Sequence, residues 1–110
     1  MKILLDECVT KKLKTYLTGH EVYTVTEMGW SGLFNGKLIT KCVDENFDIL
    51  LTVDKNVLYQ QSIVKYNITV VVFDAVNSKI DTLLPFIETF EKQAHSLEKY
   101  RLYTFNSQLP

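Results

Sequence analysis

The run Ile68-Thr69-Val70-Val71-Val72-Phe73 constrains this chain more than any other stretch. It is β-branched and aromatic, with almost no polar alternation. Such a strand is buried on both faces, as in a parallel sheet with helices on either side. Three earlier strands read from the same logic: Ile3-Leu4-Leu5, Val22-Tyr23-Thr24-Val25 and Asp48-Ile49-Leu50-Leu51-Thr52-Val53, the last ending at Asp54. Residues Tyr100 to Phe105 read as a final edge strand. Helical stripes fall between them. Val9, Leu13, Tyr16 and Leu17 form one, closed by Gly19; Leu38, Ile39, Cys42 and Val43 form the next. Ser78-x-x-Asp81 has the form of a capping box and opens a longer helix with Ile80, Leu83, Leu84, Ile87 and Phe90 on one face. Val57 to Ser62 reads as a short helix. The alternation predicts an α/β fold, a three-layer α/β/α sandwich around a mostly parallel central sheet. At 110 residues the chain is read as a single domain, 1–110.

Charge excludes one class of function. Twelve basic residues against thirteen acidic ones give a net charge of -1, so this is not a histone-like binder driven by bulk phosphate neutralisation. Arg101 is the only arginine, which leaves lysine as the available phosphate contact. The apolar run at the N-terminus is interrupted by Asp6-Glu7 and is too short for a signal peptide or membrane span. The expectation is a cytoplasmic protein with no membrane partner. Cys8 and Cys42 lack metal or redox spacing and read as buried thiols.

Sheets of this kind bind ligands outside the carboxyl ends of their strands. Two of those ends carry acids here, Asp6-Glu7 and Asp54. Neighbouring strands would bring Asp6 and Asp54 within about 4–8 Å, a spacing at which one hydrated Mg²⁺ or Mn²⁺ is held by hard oxygens. The competing reading is that either aspartate caps the helix after it. Asp74 ends the fourth strand and supplies a further acid, or sits in a turn with Asn77.

The residues also resemble a known family. Ile3-Leu4-Leu5-Asp6-Glu7, Gly19-His20-Glu21-Val22, the glycine loop Glu27-Met28-Gly29-Trp30-Ser31-Gly32-Leu33-Phe34-Asn35-Gly36, Phe47 to Asn56, and Tyr59-Gln60-Gln61 occur in the order found in small bacterial PIN-like proteins. These are related to the VapC-like toxin ribonucleases. The resemblance covers about residues 1–73 and implies a PIN-like fold and a Mg²⁺- or Mn²⁺-dependent endoribonuclease. It implies RNA as substrate and a cognate antitoxin as partner, with a homodimer as another expected partner. It places Asp6 and Asp54 in the catalytic role and Asp6, Asp54 and Glu7 in the metal-binding role. Asn35, Lys37, Asn56, Trp30 and Gln61 then line the substrate path. Lys37 stands where such proteins carry glutamate, and Ser62 where they carry asparagine. The expected consequence is a weakened site, with Lys37 directed at the acids in competition with the metal.

Two rivals stand beside that reading. One is a catalytically degraded PIN-like module that binds RNA or protein. The other is a phosphoacceptor receiver-like domain, which shares acids after its first and third strands. Trp30 either stacks on a base or pins the glycine loop to the core. Lys11, Lys12 and Lys14 either guide an RNA backbone or form a solvated face. His20 and His95 read as surface histidines, because metal ligands come in clusters.

Overall fold

The structure, a computed structural model, describes residues 1–55 and 62–106. Five strands form one sheet: β1 (Lys2–Leu5), β2 (Glu21–Thr24), β3 (Ile49–Thr52), β4 (Thr69–Asp74) and β5 (Arg101–Asn106). Every pairing is parallel, and the spatial order is β2-β1-β3-β4-β5. Among the described residues, two α-helices cover it, α1 (Asn35–Asp44) and α2 (Ile80–Gln93).

Alternate side chains of each strand point to opposite faces. Ile3, Leu5, Leu51, Val71 and Phe73 therefore pack with Leu83, Phe86, Ile87 and Phe90 of α2, and with Leu13 and Leu17. On the other face Leu4, Leu50, Val70 and Val72 pack with Leu38, Ile39 and Cys42 of α1, and with Trp30 and Phe47. The result is the expected α/β fold, helices on both faces of a parallel sheet. No helix among the described residues is long and apolar enough to cross a membrane.

Two local expectations change, and a third is not described. The stripe from Val9 to Leu17 is only a 3₁₀ helix, Lys11–Tyr16. The Val9 N–H already bonds the Asp6 carbonyl in a turn, and Gly19, at φ +85°, reverses the chain soon after. Too few residues remain to nucleate an α-helix. Ser78 does not cap α2; Lys79 holds the N-cap position, and Asn77 Oδ1 accepts from its N–H at 2.9 Å. Asp81 still sits in the first turn, where a carboxylate suits the helix dipole. The helix expected at Val57 to Ser62 falls mostly outside the described residues.

Asp48, just before β3, anchors the opposite end of the sheet. Its Oδ2 accepts from the Lys2 N–H at 2.8 Å, and Lys99 Nζ lies 3.2 Å from Oδ1. Burial pushes this carboxyl up, but the Lys2 N–H and the Lys99 ammonium outweigh it and hold the group below the usual range. A carboxyl lowered by folding adds stability above its unfolded value of about 3.9, and that stability is lost as pH falls through the lowered value. Asp48→Asn should therefore narrow the stability difference between pH 7 and pH 3 in urea unfolding. An unchanged difference would contradict the role given to this carboxylate.

Candidate functional site

Strand order reverses between β1 and β3, the place where such sheets bind ligands. Leu5 is paired with Leu51, and the Asp6 N–H extends the ladder by donating to the Leu51 carbonyl at 2.9 Å. Asp6 and Thr52 thus leave their strands side by side. Thr52 Oγ1 donates to Asp6 Oδ2 at 2.8 Å and accepts from the Asp54 N–H at 3.0 Å. A single buried hydroxyl links both acidic segments. The other Asp6 oxygen, Oδ1, accepts from the Glu7 N–H at 2.7 Å. Asp6 and Thr52 are buried, and Asp54 is exposed.

These bonds decide the capping question for Asp6. Thr10, not Asp6, caps the 3₁₀ helix, accepting from the Lys12 N–H. Both Asp6 oxygens are instead oriented as acceptors at the mouth of the sheet. Asp6, Glu7, Lys11, Thr24 and Glu27 line a cleft of about 410 Å³ there. Glu7 Oε1 accepts from the Gly32 N–H at 3.1 Å and so ties down the glycine loop. Glu27 is held by Lys14 at 2.8 Å, and that ammonium keeps its carboxyl below the usual range. Asp74 pairs with Lys55 at 3.0 Å.

Of the remaining expected site residues, none of the described ones lines this cleft. Trp30 is buried with its ring edge-on to Phe47 at 5.9 Å, so it pins the glycine loop to the core. Asn35 opens α1 with φ 54°. Lys37 is exposed on α1 and makes no ion pair with Asp6 or Asp54. Asn56 and Gln61 lie outside the described residues. His20 is not a simple surface histidine: its side chain is largely buried, with Nε2 2.8 Å from Glu91 Oε1. His95 is exposed, as expected.

Thr52 and Cys8 are the neighbours of Asp6 that sequence reasoning missed. Cys8 is exposed rather than buried, its Sγ 3.4 Å from Thr52 Oγ1 and 3.8 Å from Asp6 Oδ2. The signal for Thr52 was a polar residue inside an otherwise apolar strand. Cys42 is buried, and burial, aided by the Asp6 charge, pushes its thiol up to about 12. A disulfide-exchange dye at pH 8 should accordingly titrate one thiol in the folded chain and two after denaturation. Two rapid equivalents in the folded chain would contradict the burial of Cys42.

Among the described residues, no three His, Cys, Asp or Glu side chains form a ready-made metal cage. The donors at the reversal point are hard oxygens, a chemistry that fits a single hydrated Mg²⁺ or Mn²⁺ with few protein ligands. The chain matches no protein-family model, no curated protein and no solved structure.

Proposed function

We propose that the chain is a PIN-like endoribonuclease that uses one Mg²⁺ or Mn²⁺, with Asp6 and Asp54 as its metal ligands. The observation that carries this reading is the pair of acidic segments joined by Thr52 at the strand-order reversal. When bound, such a metal activates water against a phosphodiester and offsets charge on the reacting phosphate. The chain's own residues orient the ligands. The hydroxyl proton of Thr52 is directed at Asp6 Oδ2, because its oxygen accepts the Asp54 N–H. The Glu7 N–H fixes the second Asp6 oxygen. Lys11 supplies a cation to the cleft for an incoming phosphate. The sequence resemblance adds the toxin role, a cognate antitoxin and a cytoplasmic setting.

Hydrolysis of a fluorescently quenched RNA oligonucleotide with Mn²⁺ tests the reading, with excess chelator as the blank. Thr52→Val should lower the apparent metal affinity by about 10–100-fold, as loss of a ligand-orienting partner does. RNA hydrolysis that persists in chelator would contradict a metal-dependent site.

A second reading has one observation in its favour. The order β2-β1-β3-β4-β5 is the doubly wound arrangement shared by receiver-like domains, which carry acids after the first and third strands. Against it, β4 ends in Asp74 and β5 in Asn106, where a receiver places a hydroxyl residue and a lysine. Stable incorporation of phosphate from acetyl phosphate, lost in Asp54→Asn, would favour this reading over the nuclease.

A further inference from the structure

The start of α1 carries a second feature, separate from the Asp6 cleft. A groove of about 730 Å³ runs beside it, lined by Phe34, Lys37, Lys41 and Tyr66 among others. Phe34 is 68% exposed although it immediately precedes the helix. Tyr66 lies against the helix because position 36 is glycine; a Cβ there would stand 3.1 Å from the Tyr66 hydroxyl.

The charges in this groove are poorly placed for the helix itself. Lys37 sits in the first turn, which contains no acid, and the helix dipole there disfavours a cation. Lys41 is four residues on, a like-charge spacing that destabilises a helix. Among the described residues, neither ammonium makes an ion pair. Among the described residues, the groove is lined by two lysines against one acid, Asp44, beside two aromatic rings, a set complementary to a polyanion that has flat apolar faces.

We infer that this groove binds single-stranded RNA, with bases stacked on Phe34 and Tyr66 and phosphates held by Lys37 and Lys41. Stacking on aromatic rings combined with a cationic track is how proteins hold single strands without reading sequence. The groove also adjoins the acidic edge, since Gly32 on its rim donates its N–H to Glu7. The inference rests on the nuclease reading for its choice of RNA, and it gives Lys37 a substrate contact in place of competition with the metal.

The test is fluorescence anisotropy of a short labelled oligouridine in chelator, where no metal-dependent cleavage contributes. Groove binding and nuclease activity are then read separately, and either can fail alone. The native chain should bind, and Phe34→Ala should weaken binding about tenfold. Because Phe34 is exposed, its truncation leaves the core intact. Lys37→Ala with Lys41→Ala should lower the salt dependence of log affinity by about 1.4, the value for two single-strand phosphates. No binding by the native chain overturns the inference, as does equal affinity and salt dependence in the variants. A native dimer that dissociates on Phe34→Ala also overturns it, by placing a second copy of the chain in the groove.

Discussion

Phe90→Ala should destabilise the fold by about 3–5 kcal/mol, the range for deleting a fully buried phenyl ring. Phe90 is completely enclosed in α2. Its ring lies edge-on to Phe73 of β4 at 6.3 Å and to Phe105 of β5 at 6.1 Å, and His20 is 6.2 Å away. Contacts from a helix, two strands and the β1–β2 connection therefore meet at one side chain. The two strands are fixed by the parallel ladder and cannot close over a hole, so the cavity penalty adds to the lost transfer energy. Urea unfolding monitored by circular dichroism reads the effect directly. A change below about 1 kcal/mol would mean that α2 does not seal this face of the sheet.

Asp6→Asn should lower metal-dependent RNA hydrolysis by about a thousandfold while the chain stays folded. A unit charge about 4 Å away is worth on the order of 4 kcal/mol at surface-like dielectric, and that energy corresponds to about three orders of magnitude in rate. Asparagine retains the volume, and its carbonyl oxygen can accept from the Thr52 hydroxyl, but its amide nitrogen then faces the Glu7 N–H and that bond is lost. Thermal unfolding measured alongside separates the missing charge from a disturbed site. Activity within a few-fold of the native chain, with unchanged thermal unfolding, would remove Asp6 from the chemistry.

The fold was legible in the sequence because burial on both faces leaves a strong signature. Ile49 to Leu51 and Val70 to Phe73 are continuous apolar runs, and the structure buries each of them. The helix stripe of α2 was legible for the same reason, although Phe86 was overlooked. It lies three residues from Leu83 and shares its face, but Pro85 beside it breaks the helical pattern. Segments with little burial were harder to read. The 3₁₀ helix has only Leu13 buried, and such a stripe does not distinguish it from an α-helix.

Part of the candidate site was legible. Ligands bind outside the carboxyl ends of strands in doubly wound sheets, and that rule pointed to Asp6. Thr52 was not legible, because its bond to Asp6 spans 46 residues and depends on β1 and β3 being adjacent. Strand adjacency is a property of topology that no local pattern encodes. Lys37 shows the converse: its position in the chain suggested the acids, but the helical phase of α1 places it in the outer groove with Lys41.

The central claim is that Asp6 and Asp54 hold one hard divalent cation at the β1–β3 reversal. Calorimetric titration with Mn²⁺ tests it without reference to any substrate. The native chain should bind one ion with saturable heat, and Asp6→Asn should abolish that heat while leaving the fold intact. A native chain that shows no binding, or an Asp6→Asn variant with the native isotherm, would contradict the account.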